Sequence, residues 1–203
     1  SSVHAFSETG LVPYDYESPG GYSGGFNNGG TVAQTGLGAI RANPAMLAAE
    51  KKYELDASYM WPTANSGREV YQVGAVDSVT SSLAIGILYT GHREEYKYWK
   101  VLKEQERATA FLNSAATRRI ALGTAFNFSG FSLGLGGQFV EGTLMNGQST
   151  NGVSLGGGAA FTFMEIFRLG GSFENLLNEN IKEFSPKIYR LGASYIAFEN
   201  LSL

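Results

Sequence analysis

Apolar residues alternate with glycine, serine or alanine along most of the chain between about Tyr53 and Leu203. In an extended chain, residues 119–128 would place on one face Ile120, Leu122, Thr124, Phe126 and Phe128, and on the other Arg119, Ala121, Gly123, Ala125 and Asn127. A period of two residues predicts β-strands, because successive side chains of a strand point to opposite faces. An apolar, uncharged face on every strand is typical of a barrel whose outside contacts lipid. We therefore expect an all-β fold, an antiparallel transmembrane β-barrel.

Eight strands are predicted, and the links between them alternate in length. The strands cover residues 53–61, 70–77, 83–91, 119–128, 131–141, 153–163, 167–175 and 188–197, and a ninth would begin at Leu201. The short links are 78–82, 129–130, 164–166 and 198–200, and the long, polar ones are 62–69, 92–118, 142–152 and 176–187. Outer-membrane barrels show this alternation, with short periplasmic turns and long extracellular loops. The alternative, a soluble β-sandwich, gives no reason for it.

The composition narrows the classes of function. Only 16% of the residues are charged, against about 25% in an average domain, and the formal net charge is -3. Nucleic acid is therefore not an expected partner. The chain has no cysteine, which removes disulfides and cysteine metal sites. No stretch approaches the roughly 18 apolar residues of a membrane-spanning helix, so a membrane protein of this sequence would cross with strands.

Six charged residues within the predicted strands lie on the face opposite the apolar one, which would line the lumen of a barrel. These lumen charges are Glu54, Asp56, Arg119, Arg168, Glu174 and Arg190. On the lipid face at mid-membrane, a charge would cost roughly 2–4 kcal/mol. Glu54 and Asp56 share a face and could serve acid–base chemistry, but pairing with the lumen arginines explains them better. The two histidines, His4 and His92, have no cysteine or carboxylate pair of ligand spacing nearby, so we expect no metal. The sequence contains no Gly-x-Ser-x-Gly elbow and no Walker loop, so we expect no catalytic site and no cofactor.

Small residues dominate the inward positions, for example Gly86, Gly134 and Ser172. An eight-stranded barrel is just wide enough for side chains to fill, so small residues would leave its interior empty unless a segment or ligand occupied it. An unpaired strand edge in lipid costs several kcal/mol for each backbone group. We therefore expect the 8–9 visible strands to be part of a larger barrel.

Two stretches of the sequence resemble a known family. The segment before the first strand contains Asn43-Pro44-Ala45, which is similar to the hatch motif of the FadL-like outer-membrane transport superfamily. Residues 169–176, Ser185-Pro186 and residues 190–195 resemble the PorV-like branch of that superfamily. There, a strand ending in Asn-Leu leads through a Pro-containing loop to a Leu-Gly-Ala-Ser-Tyr strand. Together the two resemblances cover most of residues 35–203.

The resemblance implies a fourteen-stranded barrel in the outer membrane of a Gram-negative bacterium, with the N-terminus on the periplasmic side. Residues 1–35 would form an extended, glycine-rich tail, residues 36–52 a hatch that plugs the barrel, and residues 53–203 barrel strands. In fatty-acid-carrying members, the hatch and a kinked third strand open a lateral path from the lumen to the membrane. Gly86 and Gly91 in the predicted third strand would permit such a kink.

Two functions follow as hypotheses, and neither is enzymatic. The resemblance and the small inward residues favour passive uptake of hydrophobic small molecules, which requires an apolar pocket between hatch and barrel wall. The alternative is a structural or docking barrel that binds a partner protein in an outer-membrane assembly or secretion system. That partner would contact the N-terminal tail or the loop 92–118, where Tyr96 and Trp99 are candidate contact residues. In both cases the outside of the barrel would contact outer-membrane lipid.

Overall fold

The fold is all-β, and it consists of one antiparallel sheet with a short, irregular segment packed on one face. The computed structural model describes residues 31–60, 68–79, 82–94, 115–143, 149–164, 166–178, 181 and 187–195. No helix in these ranges has the length and apolar character needed to cross a membrane.

Eight strands follow one another in sequence order, and each pairs antiparallel with the next. They are β1 (Tyr53–Met60), β2 (Arg68–Asp77), β3 (Leu83–Glu94), β4 (Ala115–Phe128), β5 (Phe131–Thr143), β6 (Ser149–Phe163), β7 (Phe167–Glu174) and β8 (Ile188–Tyr195). The eight strands predicted from the sequence are thus confirmed. The free edges of β1 and β8 pair with no other described strand, so the sheet is open in this part of the chain.

Several strands extend further toward the long connections than the sequence pattern predicted. β3 continues to Glu94, β4 begins at Ala115, and His92 pairs with Thr117 in the ladder between them. The alternation of apolar and small residues fades here, so the pattern ended these strands early although backbone pairing continues. The predicted contact residues Tyr96 and Trp99, and the ninth strand, lie outside the described residues.

The two faces of the sheet differ as the alternation predicted. The outer face carries bulky apolar side chains, such as Leu122 and Leu135, which are 54% and 67% exposed. The opposite, inner face carries small or polar residues, and Ala121, Ala125 and Ser154 on it are buried. The inner face is buried because residues 31–50, hereafter the inner segment, lie against it.

The inner segment has three short helical turns. A 3-10 turn (Gly36–Gly38) leads into the four-residue helix α1 (Ala39–Ala42), and a second 3-10 turn covers Pro44–Ala48. Asn43 between them is extended, and its side-chain oxygen accepts a hydrogen bond from Ala45 N at 3.1 Å. Pro44 at the first position lacks an N–H that would need a partner. Pro44 thus opens the second 3-10 turn.

The sheet curves around the inner segment. Leu37 N donates to Glu54 on β1 at 3.3 Å, and Ala42 O accepts from Ser172 on β7 at 2.7 Å. In a flat sheet these strands would be about 29 Å apart. The helical chain from Leu37 to Ala42 spans only about 12 Å, and the two side chains with their hydrogen bonds add about 13 Å at full extension. Since the total is smaller than the flat distance, β1 and β7 must turn toward each other.

Candidate functional site

Glycines on the inner face provide the space that the inner segment fills. A Cβ atom on Gly86 would lie 2.9 Å from Ile40 Cδ1, and one on Gly123 would lie 2.8 Å from Leu47 Cδ1. Both distances are well below the ordinary carbon–carbon contact of about 3.5–4.0 Å. The same relation holds for Gly74 with Leu37, Gly134 with Ala45, Gly158 with Asn43 and Gly170 with Val32. The small inward residues are therefore a fitted contact surface for the segment.

The large apolar side chains of the core come mainly from the segment. Leu37, Ile40, Met46 and Leu47 are at most 4% exposed. They pack on small wall residues, which include Ala84, Ala121, Ala125 and Ala160. Large side chains on the segment against small ones on the sheet allow the close approach that the curvature requires.

Asn43, Pro44 and Ala45, the residues of the predicted hatch motif, lie over the middle of the sheet. All three are buried. Asn43 Nδ2 donates to Ala159 O on β6 at 3.4 Å, while the backbone of Pro44 and Ala45 passes directly over Gly134 on β5. The motif thus joins the segment to β5 and β6. Its role as a hatch stays a prediction.

A largely buried group of three charges joins the segment to β7 and β8. Arg190 Nη1 donates to Glu174 Oε2 at 2.7 Å, and Arg41 Nε lies 3.9 Å from Glu174 Oε1. The three side chains are between 9% and 15% exposed. Removing one partner from such a group is costly, because it leaves a buried charge uncompensated. The alternation of residues placed Glu174 and Arg190 on this face, whereas Arg41 is a single charge in a run of small and apolar residues and was not predicted to join them.

A second group of charges lies where the chain enters β1. Lys52 Nζ is 3.2 Å from Glu54 Oε2, and Glu50 Oε1 is 3.9 Å from Arg168 Nη2 on β7. Thr35 Oγ1 donates to Glu50 Oε2 at 2.9 Å, which ties the segment to the same group. Glu54 therefore pairs with Lys52 rather than with a lumen arginine, because Lys52 lies two residues away on the same side of the chain.

The remaining predicted lumen charges, Asp56 and Arg119, lie on the inner face but join neither group. Asp56 is exposed and accepts a hydrogen bond from Gln72 Nε2 at 3.4 Å. Arg119 is 1% exposed and lies toward the long connections, where it and His92 line a small cleft between β2, β3 and β4. The structure thus brings four of the six charges into two groups at the segment.

Gly86 and Gly91, where the family resemblance places a kink of the third strand, each lie close to a neighbouring side chain. β3 pairs residue by residue with β2 and β4 through both positions, so neither glycine forms a bulge. Gly86 faces Ile40 of the inner segment, and Gly91 lies under the ring of Tyr71. In each case a side chain would occupy the space that a neighbouring side chain already fills.

The chain after β7 folds back over the inner face, which the strand pattern did not predict. Asn175 adopts a left-handed conformation (φ 63°) and is fully buried. Its side-chain oxygen accepts hydrogen bonds from Gln138 Nε2 and from Ser154 Oγ, the latter at 2.9 Å. Further along, Ile181 is buried against Gly152 of β6. Asparagine tolerates this backbone conformation better than most residues. An asparagine at the end of a predicted strand was therefore the one sequence signal for a turn at this position.

Two concave spaces border the sheet. Between the segment and the inner face, a cavity of about 20 Å³ is lined by Ile40, Pro44, Gly136 and others, which is room for about one water molecule. On the outer face, a groove of about 850 Å³ has a floor of small residues, including Gly157 and Gly171, and apolar rims. The large space therefore lies outside the sheet and the small one beneath the segment.

The inner face is a fitted surface for the inner segment. No three His, Cys, Asp or Glu side chains among the described residues group as a metal site would require. Glu174 pairs with Arg41 and Arg190, and Arg168 pairs with Glu50, so these ion pairs position the segment on the sheet. Comparison with family models, with curated proteins and with solved structures found no match.

Proposed function

We propose that the chain belongs to an outer-membrane β-barrel, with its outer face in lipid and the inner segment as a plug. The supporting observation is the distribution of charge on the outer face. Charged residues occur there only toward the strand ends: Glu69, Asp77, Arg93, Arg118 and Glu141. Between them, the described strands present only apolar, small or uncharged side chains. A contiguous apolar surface of this extent is rare on soluble monomers.

The height of this apolar band fits a bilayer. From Val153 to Phe163 on β6, ten residue steps span about 33 Å along the strand. Barrel strands tilt by about 40°, which leaves about 25 Å along the membrane normal, the height of the apolar band on known barrels. Further strands, pairing with the free edges of β1 and β8, would close the barrel, and the family resemblance suggests about fourteen in total.

Within this barrel we assign the chain a structural or docking role in a membrane assembly. Transport of a hydrophobic solute would need an apolar pocket between segment and wall. The cavity at Ile40 and Pro44 has room for about one water, and the adjoining wall carries Gln138, Ser154 and Glu174. A filled interior with a polar wall suits a barrel that presents its loops or tail to a partner protein. Tyr96 and Trp99 in the loop 92–118 are the proposed contacts.

Passive uptake of hydrophobic molecules is the second candidate. It is favoured by the groove of about 850 Å³ on the outer face, whose rims include Leu135 and Leu191. Sites for small molecules commonly have volumes of about 300–1,000 Å³. A hydrophobic molecule in this groove would travel along the barrel wall instead of through the lumen.

Native mass spectrometry of the protein, gently extracted from its own membrane, separates the two functions. A docking barrel carries a stoichiometric partner protein that is lost in a Tyr96→Ala/Trp99→Ala variant and kept in a Lys97→Ala control. A lipid-sized adduct that survives detergent exchange, without a protein partner, would replace the docking role by the second candidate. A protein that never partitions into membranes would contradict both.

A further inference from the structure

We propose that the inner segment is a displaceable plug over a polar passage, and that the Arg41–Glu174–Arg190 group is its latch. With the latch released, the barrel would conduct water and small hydrophilic solutes. This inference rests on the proposed membrane barrel, and it adds an activity that a docking role does not require.

The wall beneath the segment is polar once the segment is set aside. Its inner face carries Ser132, Gln138, Ser154, Ser172, Glu174 and Arg190 among glycines and alanines. The large side chains that now exclude water, such as Ile40, Met46 and Leu47, belong to the segment itself. Because hydroxyl, amide and charged groups bind water strongly, the vacated space would fill with water and would not favour a hydrophobic solute.

The segment can leave without breaking the sheet. It has no strand pairing with β1 to β8 in the described chain, since its own structure is helical turns. Its directed contacts with the wall include the hydrogen bonds of Leu37 with Glu54, of Ala42 with Ser172 and of Asn43 with Ala159. All three use a side chain on one partner, so the backbone ladder of the sheet would remain intact.

The charge group is the contact that best controls release. Glu174 lies between the guanidinium groups of Arg41 on the segment and Arg190 on β8. If the carboxylate is replaced by an amide, the two largely buried guanidinium groups of Arg41 and Arg190 lose the negative charge that lies between them. The repulsion acts on Arg41, whose element is the one that can move. Glu174→Gln should therefore loosen the plug while nearly preserving side-chain volume.

The test is ion conductance in planar bilayers with potassium chloride, combined with a reversible staple. The Thr31 Cβ atom lies 3.3 Å from a Cβ placed on Gly192, close to the 3.5–4.5 Å of a disulfide, so Thr31→Cys/Gly192→Cys would join segment to wall. Gln34→Cys/Gly38→Cys, with a Cβ separation of 3.5 Å, makes a matched disulfide inside the segment only. The chain has no other cysteine.

We expect the wild-type protein to be nearly silent and Glu174→Gln to raise the mean current at least about tenfold, equivalent to about 1.4 kcal/mol of latch energy. In the Glu174→Gln background, oxidation of the Thr31→Cys/Gly192→Cys pair should lower the current to the wild-type value. A reductant should then raise it again to the high value of Glu174→Gln. The control disulfide should leave the current high.

An inserted Glu174→Gln protein as silent as the wild type would overturn the latch, as would a current that the staple does not change. Insertion is checked by co-flotation with liposomes, and Arg41→Gln replaces Glu174→Gln if the latter does not float. If the wild type itself never floats, the membrane barrel fails, which is a different outcome from a silent inserted protein.

Discussion

Arg168 on β7 lies 3.9 Å from Glu50, three residues before β1 begins, measured from Nη2 to Oε1. Elements six strands apart in the sheet order thus meet on the inner face. This contact, like the hydrogen bonds of Leu37 and Ala42, requires the sheet to wrap around the inner segment. The segment therefore lies at the centre of the core, and the sheet surrounds it.

Gly134→Ala is expected to destabilise the protein by about 2–3 kcal/mol, because an added methyl would overlap the backbone of Ala45 and overpack the core. The control is Gly137→Ala, three residues along the same strand on the outer face. There the nearest atom, Leu155 Cδ2, would be 3.5 Å away, so we expect a change within about 0.5 kcal/mol. Urea unfolding midpoints of both variants measure the difference, and equal midpoints would contradict the fitted inner face.

At Asn175, two substitutions separate the contribution of the left-handed backbone conformation to stability from that of the side-chain hydrogen bonds. Asn175→Ala should lower the free energy of unfolding by about 1–3 kcal/mol through the bonds lost from Gln138 and Ser154, and by a further 1–2 kcal/mol, roughly, for a left-handed alanine. Asn175→Gly loses the same bonds but adopts the conformation freely. Equilibrium unfolding should therefore give a higher free energy of unfolding for Asn175→Gly than for Asn175→Ala. The reverse order would contradict the left-handed conformation at this position.

Two of the ion pairs that join β7 to other elements, Glu174–Arg190 and Arg168–Glu50, should differ in strength. Glu174 and Arg190 are largely buried at 2.7 Å, whereas Glu50 is 46% exposed and 3.9 Å from Arg168. Double-mutant cycles with glutamine at each position should give a coupling of about 1.5–3 kcal/mol for the first pair and below about 1 kcal/mol for the second. Similar couplings would mean that burial does not strengthen the first pair.

Periodicity predicted the strands and their faces well, because alternation is a local property of the chain. Leu122 and Ala121, adjacent in sequence, lie on opposite faces as the pattern required. The contents of the inner face were harder to predict. Asn43 contacts Ala159, 116 residues away, and Ala42 contacts Ser172, 130 residues away. A local pattern records that Gly134 is small but not which backbone passes over it.

The charges show the same limit. The face on which a charge lies depends only on whether its position along the strand is even or odd. Alternation therefore placed Glu54, Glu174 and Arg190 on the inner side, where the structure has them. The partners of these charges depend on where the segment lies. Arg41 and Lys52 were therefore not predicted as partners of Glu174 and Glu54. Asn175 entered the prediction only as part of a family resemblance, and the fold-back was not predicted, because a single asparagine does not specify which strands its side chain will contact.

The central claim, that the outer face lies in lipid, is tested most directly by an arginine scan of β5. Leu135 lies mid-band and is 67% exposed, and Thr143 ends the same strand on the same face beyond the band. Unfolding free energies in lipid vesicles should fall by about 2–4 kcal/mol for Leu135→Arg and by about 0–1 kcal/mol for Thr143→Arg. Equal, near-zero effects would mean that the outer face meets water, and the membrane barrel would be wrong.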